Sequence, residues 1–147
     1  MAEHNIIGQK GEEIAAQIMR KKGFRVVNTN WKVGHLEIDV IAENRKQIIF
    51  IEVKTRTTFF ADKRPEEYVD ELKRRRIAAA ANAYLKIKHI EKAPRFDIIG
   101  ITMDATTHEV KEVTHLEDAF LPPQRTIGKS SFSGQGRWHH RNRVIGK

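Results

Sequence analysis

Apolar side chains at Ile7, Ile14, Ala15, Ile18 and Met19 recur at the spacing of one helix face, which predicts a helix over residues 7–22 with Gly23 standing as its C-terminal cap. From Phe24 the pattern changes to alternation and short apolar runs. Residues 24–33, 36–42 and 48–55 read as three strands joined by turns at Gly34-His35 and at residues 43–46, and such short connections predict an antiparallel meander. A polar loop around Ala61, Asp62, Lys63, Arg64 and Pro65 leads into a long helix over residues 66–87, with Tyr68, Leu72, Ala79, Ala83 and Ile87 as the expected core face. Strands over residues 95–103 and 109–113 follow, and residues 116–120 are expected to add a helical turn before Pro122-Pro123 ends regular structure. Helix, three strands, helix, two strands predicts an α/β sandwich with a mixed sheet of about five strands flanked by helices.

Composition narrows the classes. At 147 residues and 39% hydrophobic content the chain suits one domain with a single core. It has no cysteine, which excludes disulfides, thiolate nucleophiles and cysteine-bound zinc. Residues 1–10 are polar, and no uncharged run nears the ~20 residues of a membrane span, so the expectation is a cytoplasmic protein without a membrane partner. The net charge of +8 is unevenly placed: all nineteen acids lie in residues 1–121 beside twenty-one Lys or Arg. Residues 122–147 carry Arg125, Lys129, Arg137, Arg141, Arg143 and Lys147 and no acid. The folded unit is therefore expected over residues 1–121. Beyond it lies a basic tail, too poor in apolar surface to order itself and attracted to polyanions.

Two predicted strands carry charge where burial makes charge expensive. The run Gln47-Ile48-Ile49-Phe50-Ile51 continues into Glu52 and Lys54, which share one face while Ile49, Ile51 and Val53 share the other. Glu37, Asp39 and Ile41 likewise share a face of the preceding strand. Pairing the two strands through the 43–46 turn sets Asp39 roughly opposite Glu52. Adjacent carboxylates repel unless a dication or the Lys54 ammonium compensates, and oxygen ligands suit Mg²⁺ or Mn²⁺. The competing reading, a surface ion-pair ladder, fits poorly with such apolar flanks and a second acid at hairpin distance. Arg56 lies on the Glu52 and Lys54 face, placed to clamp a phosphate or to bridge a nearby acid. Lys73, Arg74, Arg75 and Arg76 either grip phosphates or mark a solvated helix face. Asn30, Trp31 and His35 are candidates to line the site, with Trp31 better suited to the core or its rim and His35 to an exposed turn. His139-His140 fall in a tail without preformed geometry.

Five stretches carry a resemblance: Gly8-x-x-Gly11-Glu12-Glu13-x-Ala15-Ala16, Asn30-Trp31, Glu37-Ile38-Asp39-Val40-Ile41, Phe50-Ile51-Glu52-Val53-Lys54-Thr55-Arg56, and Arg95-Phe96-Asp97-Ile98-Ile99. Over residues 7–120 the chain resembles the bacterial YraN-type family of endonuclease-like proteins. That family is similar to archaeal Holliday junction resolvases and belongs to the PD-(D/E)xK superfamily. The resemblance implies a restriction-endonuclease-like core. By position it makes Asp39 and Glu52 metal ligands together with the Val53 backbone carbonyl, Lys54 the catalytic lysine, and Glu12 the helix-borne acid that assists the metal site. The chain departs from the usual pattern at Leu36, where members often carry glycine before the Glu37 position. The expected function is a Mg²⁺- or Mn²⁺-dependent endonuclease acting on DNA, with branched or otherwise structured DNA as the candidate substrate and a homodimer as the corollary of junction cleavage. The alternatives are a non-catalytic nucleic-acid-binding module on the same scaffold and an interaction protein whose strand charges are structural.

Overall fold

The structure is a computed structural model that describes residues 2–57, 64, 67 and 69–121. Its elements are α1 (Ala2–Lys21), β1 (Arg25–Val33), β2 (Leu36–Glu43), β3 (Gln47–Thr57), α2 (Glu71–Ile87), β4 (Ala93–Met103) and β5 (Val110–Leu116). The strands lie in sequence order in one sheet. β1, β2 and β3 form an antiparallel meander, β4 is parallel to β3, and β5 is antiparallel to β4. This is the mixed α/β class expected from the element order. The single parallel step needs a long crossover, which α2 supplies.

Each boundary has a local cause. α1 ends in a left-handed Gly23 (φ 97°), with Phe24 N–H donating to the Met19 carbonyl at 3.0 Å and Gly23 N–H to Arg20 at 3.0 Å. These two bonds satisfy carbonyls the helix would otherwise orphan. Asn44 Oδ1 accepts from the backbones of Lys46 and Gln47 at 2.9 and 2.8 Å and folds the β2–β3 turn.

α1 packs on one face of the sheet and α2 on the other. The α2-side core gathers Ile41, Ile48, Phe50, Phe96 and Ile98 under Ile77, Ala80, Ala81 and Tyr84. The α1-side core gathers Val40, Ala42, Ile49, Ile51, Ile99 and Ile101 under Ala15 and Met19. β3 and β4 are buried on both faces, which accounts for their near-continuous apolar sequence.

Three expectations need correction. α2 begins at Glu71 rather than residue 66, because Asp70 caps it by accepting from Lys73 N–H at 2.9 Å. Its buried stripe is Ile77, Ala80, Ala81 and Tyr84, whereas the expected Leu72 and Ile87 are 53% and 55% exposed, Ala79 is exposed and Ala83 is half-buried. Starting from Leu72 placed the face on the wrong side of the axis; the aromatic Tyr84 sets it. Tyr68 lies outside the described residues, as do residues 61–63, Pro65 and the whole of 122–147. Finally, residues 116–120 form no helical turn. β5 runs on to Leu116, and the following backbone is tied to β4, with Asp118 N–H on Asp97 Oδ1 at 3.0 Å and Ala119 N–H on the Phe96 carbonyl at 2.7 Å. Those bonds to the sheet replace the local ones a helix would need.

Candidate active site

β2 and β3 pair from Glu43↔Ile48 up to Val40↔Ile51 and then separate, while β3 continues beside β4 as far as Thr57. The next step of that register sets Asp39 beside Glu52, as the sequence predicts. At this fork Asp39 Oδ2 accepts from the Val53 backbone N–H at 2.8 Å, taking the place of a ladder carbonyl. The carbonyl of a strand residue points to the same edge as its own N–H, so Val53 offers its carbonyl oxygen to the same fork.

The expectation that Glu37, Asp39 and Ile41 share one face is corrected. Ile38 and Ile41 both pack into the α2-side core while Val40 and Ala42 pack into the α1-side core, so the alternation slips by one residue at Asp39. The slip turns Asp39 along the sheet toward β3 rather than up or down from it. Glu52 follows Phe50 onto the α2 face, where its carboxylate meets Lys73 Nζ at 3.4 Å. Glu12 comes from α1 on the other face and is held by Asn30 Nδ2 at 2.9 Å. α1 lies this close to β3 because residue 11 has no side chain: a Cβ there would fall 2.2 Å from Thr55 Oγ1 and 3.3 Å from Thr55 Cβ.

The electrostatics of the pair are unfavourable in this protein by itself. Burial pushes the Asp39 pKa up from 3.8 to about 8, with further increments from the Glu52 charge and from Glu12 and Glu37, against a lowering by Val53 N–H. Burial also raises Glu52, opposed by Lys73, by a hydrogen bond from Asp39 and by Lys54. Two adjacent acids that burial pushes upward in this way gain from a cation.

Among the described residues no three His, Asp or Glu side chains form a ready-made metal-holding group. The Asp39 and Glu52 carboxylates do come within hydrogen-bonding reach of each other, and by strand geometry the Val53 carbonyl faces the same fork. This set fits Mg²⁺, which is commonly held by one or two carboxylates and keeps several waters. Glu12, turned toward Asn30, acts on Asp39 through its charge. A cleft of about 590 Å³ between α1 and β1, bounded by Gln9, Glu12, Arg20 and Asn30, lies beside Glu12, and its lining includes none of Asp39, Glu52 and Lys54.

The predicted basic residues are not one patch. Arg56 follows Lys54 on β3 but donates from Nε to Thr102 Oγ1 at 3.1 Å. Among the described residues Lys73 is the member of the α2 run that pairs with Glu52, at 3.4 Å. Arg74 bonds the Val69 carbonyl at 3.1 Å and lies over Phe120, and Arg75 pairs with Glu71 at 3.3 Å. Arg76 is exposed. Successive helical residues diverge by about 100°, so a four-residue run encircles the helix. Trp31 packs edge-on against Tyr84 at 5.0 Å in the α2-side core, and His35 is exposed in the β1–β2 turn.

A second polar cluster appears in the sequence only as Arg95 and Asp97 inside an apolar strand. Asp97, fully buried, accepts from Arg95 Nε and Nη2 at 2.8 Å each, from His115 at 2.8 Å and from Asp118 N–H. The signal available was a pair of opposite charges two apart, hence on one face, within a run such as Phe96, Ile98 and Ile99.

Fold and site together define a mixed α/β protein with one adjacent carboxylate pair at the fork of a strand meander. The chain belongs to the UPF0102 family, the YraN-type family: the pattern of "Uncharacterised protein family UPF0102" matches residues 11–101, which include every site residue on β2 and β3 and Glu12. It is 43% identical to a UPF0102 protein of Phocaeicola vulgatus, over 84% of this chain and 98% of the relative. It is 39% identical to one of Bacteroides thetaiotaomicron over the same shares, and 41% identical to one of Parabacteroides distasonis over 85% of this chain and all of that one. Among the described residues no helix is long and apolar enough to cross a membrane.

Proposed function

We propose that the protein is a Mg²⁺-dependent endonuclease of the PD-(D/E)xK type that hydrolyses phosphodiester bonds in DNA, branched or otherwise structured DNA being the substrate to test first. The observation that carries this reading is the adjacency of Asp39 and Glu52 in an apolar setting, where burial pushes both acids upward, with Lys54 on the same strand. Lys73 and Lys54 offset the charge of Glu52, whereas at Asp39 burial and the neighbouring acids outweigh the Val53 N–H. Mn²⁺ would suit the same oxygen donors.

In this reading Asp39, Glu52 and the Val53 carbonyl hold the ion, and Glu12 adds negative potential from the far side of the sheet. The ion, when bound, supplies charge neutralisation at the phosphate and acidifies a coordinated water. Lys54 directs its ammonium at the attacking water or at the charge that builds on phosphorus. Water oxygen forms the new bond to phosphorus, one ester P–O bond breaks, and the leaving alkoxide takes a proton, so no covalent intermediate is needed. Arg56 and Lys73 line the approach as phosphate contacts. A four-way junction would need two such sites and hence a homodimer.

The test incubates wild type and Glu52→Gln with labelled linear, flap and four-way DNA, with Mg²⁺ and with chelator. The expected result is Mg²⁺-dependent cutting that Glu52→Gln lowers by about 10²-fold or more, the scale on which loss of one charge-stabilising group acts. No cutting by wild type on any substrate, or equal cutting by the variant, defeats the reading. Salt-sensitive DNA binding indifferent to Mg²⁺ and to Asp39→Ala would instead identify a binding module.

A further inference from the structure

Asn30 is a strand residue in a left-handed conformation, φ 51°, which L side chains rarely adopt and asparagine tolerates better than most. It falls between the Thr29↔Val40 and Trp31↔Ile38 pairs and is therefore level with Asp39, where β2 also slips. The slip on β1 is imposed from the α2 face. Tyr84 donates from its hydroxyl to Asn28 Oδ1 at 3.0 Å, and its ring meets Trp31 edge-on at 5.0 Å. Residues 28 and 31 are an odd number of steps apart and would lie on opposite faces of a regular strand. Both are drawn to Tyr84, and the backbone between them must turn over. Asn30 absorbs the turn, and its amide emerges toward α1, where Nδ2 donates to Glu12 Oε1 at 2.9 Å.

We propose that Asn30 is a positioning residue of the site: fixed by the Tyr84 brace, its amide holds the Glu12 carboxylate toward Asp39. This rests on reading Glu12 as the acid that assists the metal. Hydrogen bonds of this outer kind orient the groups around an ion, and their loss typically costs about 10–100-fold in metal affinity or activity.

Asn30→Gly separates the two properties of the residue, because glycine accepts the left-handed backbone but has no amide to donate. Calorimetric titration with Mn²⁺ should show Asn30→Gly about 10-fold weaker than wild type. Glu12→Gln should be similarly weakened, and the double variant no weaker than Glu12→Gln alone, since the two act through one bond. In ¹⁵N spectra, taken without metal, the Asn30 side-chain amide signal should move in Glu12→Gln. A second substitution guards against misfolding: Asn30→Asp also tolerates the left-handed backbone but sets like charge against Glu12. It should bind more weakly than Asn30→Gly and be relieved by adding Glu12→Gln. If wild type binds Mn²⁺ and Asn30→Gly binds as tightly, or if the losses simply add, the positioning role is overturned while the proposed function stands. If wild type neither binds Mn²⁺ nor cuts DNA, the proposed function falls and this inference with it.

Discussion

Asp39 and Asp97 are both carboxylates of the same sheet, separated by one strand, and their surroundings treat them oppositely. Asp97 accepts four hydrogen bonds, two from the Arg95 guanidinium and one each from His115 and Asp118 N–H. Burial works to raise its pKa, yet the His115 and Arg95 bonds and the Arg95 charge hold it below the ordinary value. Asp39 accepts one backbone N–H and faces Glu52, and its pKa climbs to about 8. His115 Nδ1 lies 2.8 Å from Lys22 Nζ, which can only donate, so the ring proton sits on Nε2 and points at Asp97. Burial of an acid therefore says little about function. The sign of the pKa change separates the two: the hydrogen-bonded acid ties β4 to β5, whereas the acid raised by burial and by Glu52 is the one the proposed metal site uses.

The largest effect should come from breaking the satisfied cluster. Asp97→Ala strands the nearly buried Arg95 guanidinium and releases the 117–118 turn, and should cost about 3–5 kcal/mol in denaturant unfolding. Below its lowered melting temperature this variant should retain Mn²⁺ affinity; loss of binding in the folded variant would merge the two regions into one.

Asp39→Asn should act in the other direction. A native pKa of about 8 against an ordinary 3.8 means the folded chain holds a proton the unfolded chain has released, so wild-type stability should decline as pH rises between about 4 and about 8. Asp39→Asn removes that decline and should melt above wild type at pH 8, while Mg²⁺ raises the melting point of wild type only. Parallel melting curves across that pH range would show that Asp39 is compensated after all.

Gly11→Ala tests the approach that brings Glu12 to the fork. The added methyl meets Thr55, whose Cβ cannot rotate away, and overpacking of this kind costs about 1–3 kcal/mol. Chemical denaturation should show that loss, and Thr55→Ser should not restore it, because Oγ1 remains. The smallest effect is expected from Lys73→Ala. Its ion pair with Glu52 has a half-exposed partner and should contribute less than about 1 kcal/mol to stability. It should nevertheless push the Glu52 titration upward, readable from carboxyl carbon shifts, since one of its counter-charges is gone.

Local pattern determined much of this molecule. The turn at residues 43–46 and the apolar periods of β2 and β3 fixed a register that sets Asp39 beside Glu52, because in a hairpin the register follows from loop length and from which residues must be buried. The cap at Gly23 and the element order were legible for the same reason: they depend on neighbours in sequence. Other features depend on groups brought together from far apart. The buried stripe of α2 follows from where Tyr84 meets β1, fifty-six residues before it at Asn28. The left-handed Asn30, the slip at Asp39 and the four bonds on Asp97 all arise from partners on other elements, and no period in the sequence encodes them. The amino-acid order alone thus set which acids share a strand pair, whereas the packing of α1 and α2 against the sheet decided their protonation, since desolvation and facing charge exist only once the chain is folded.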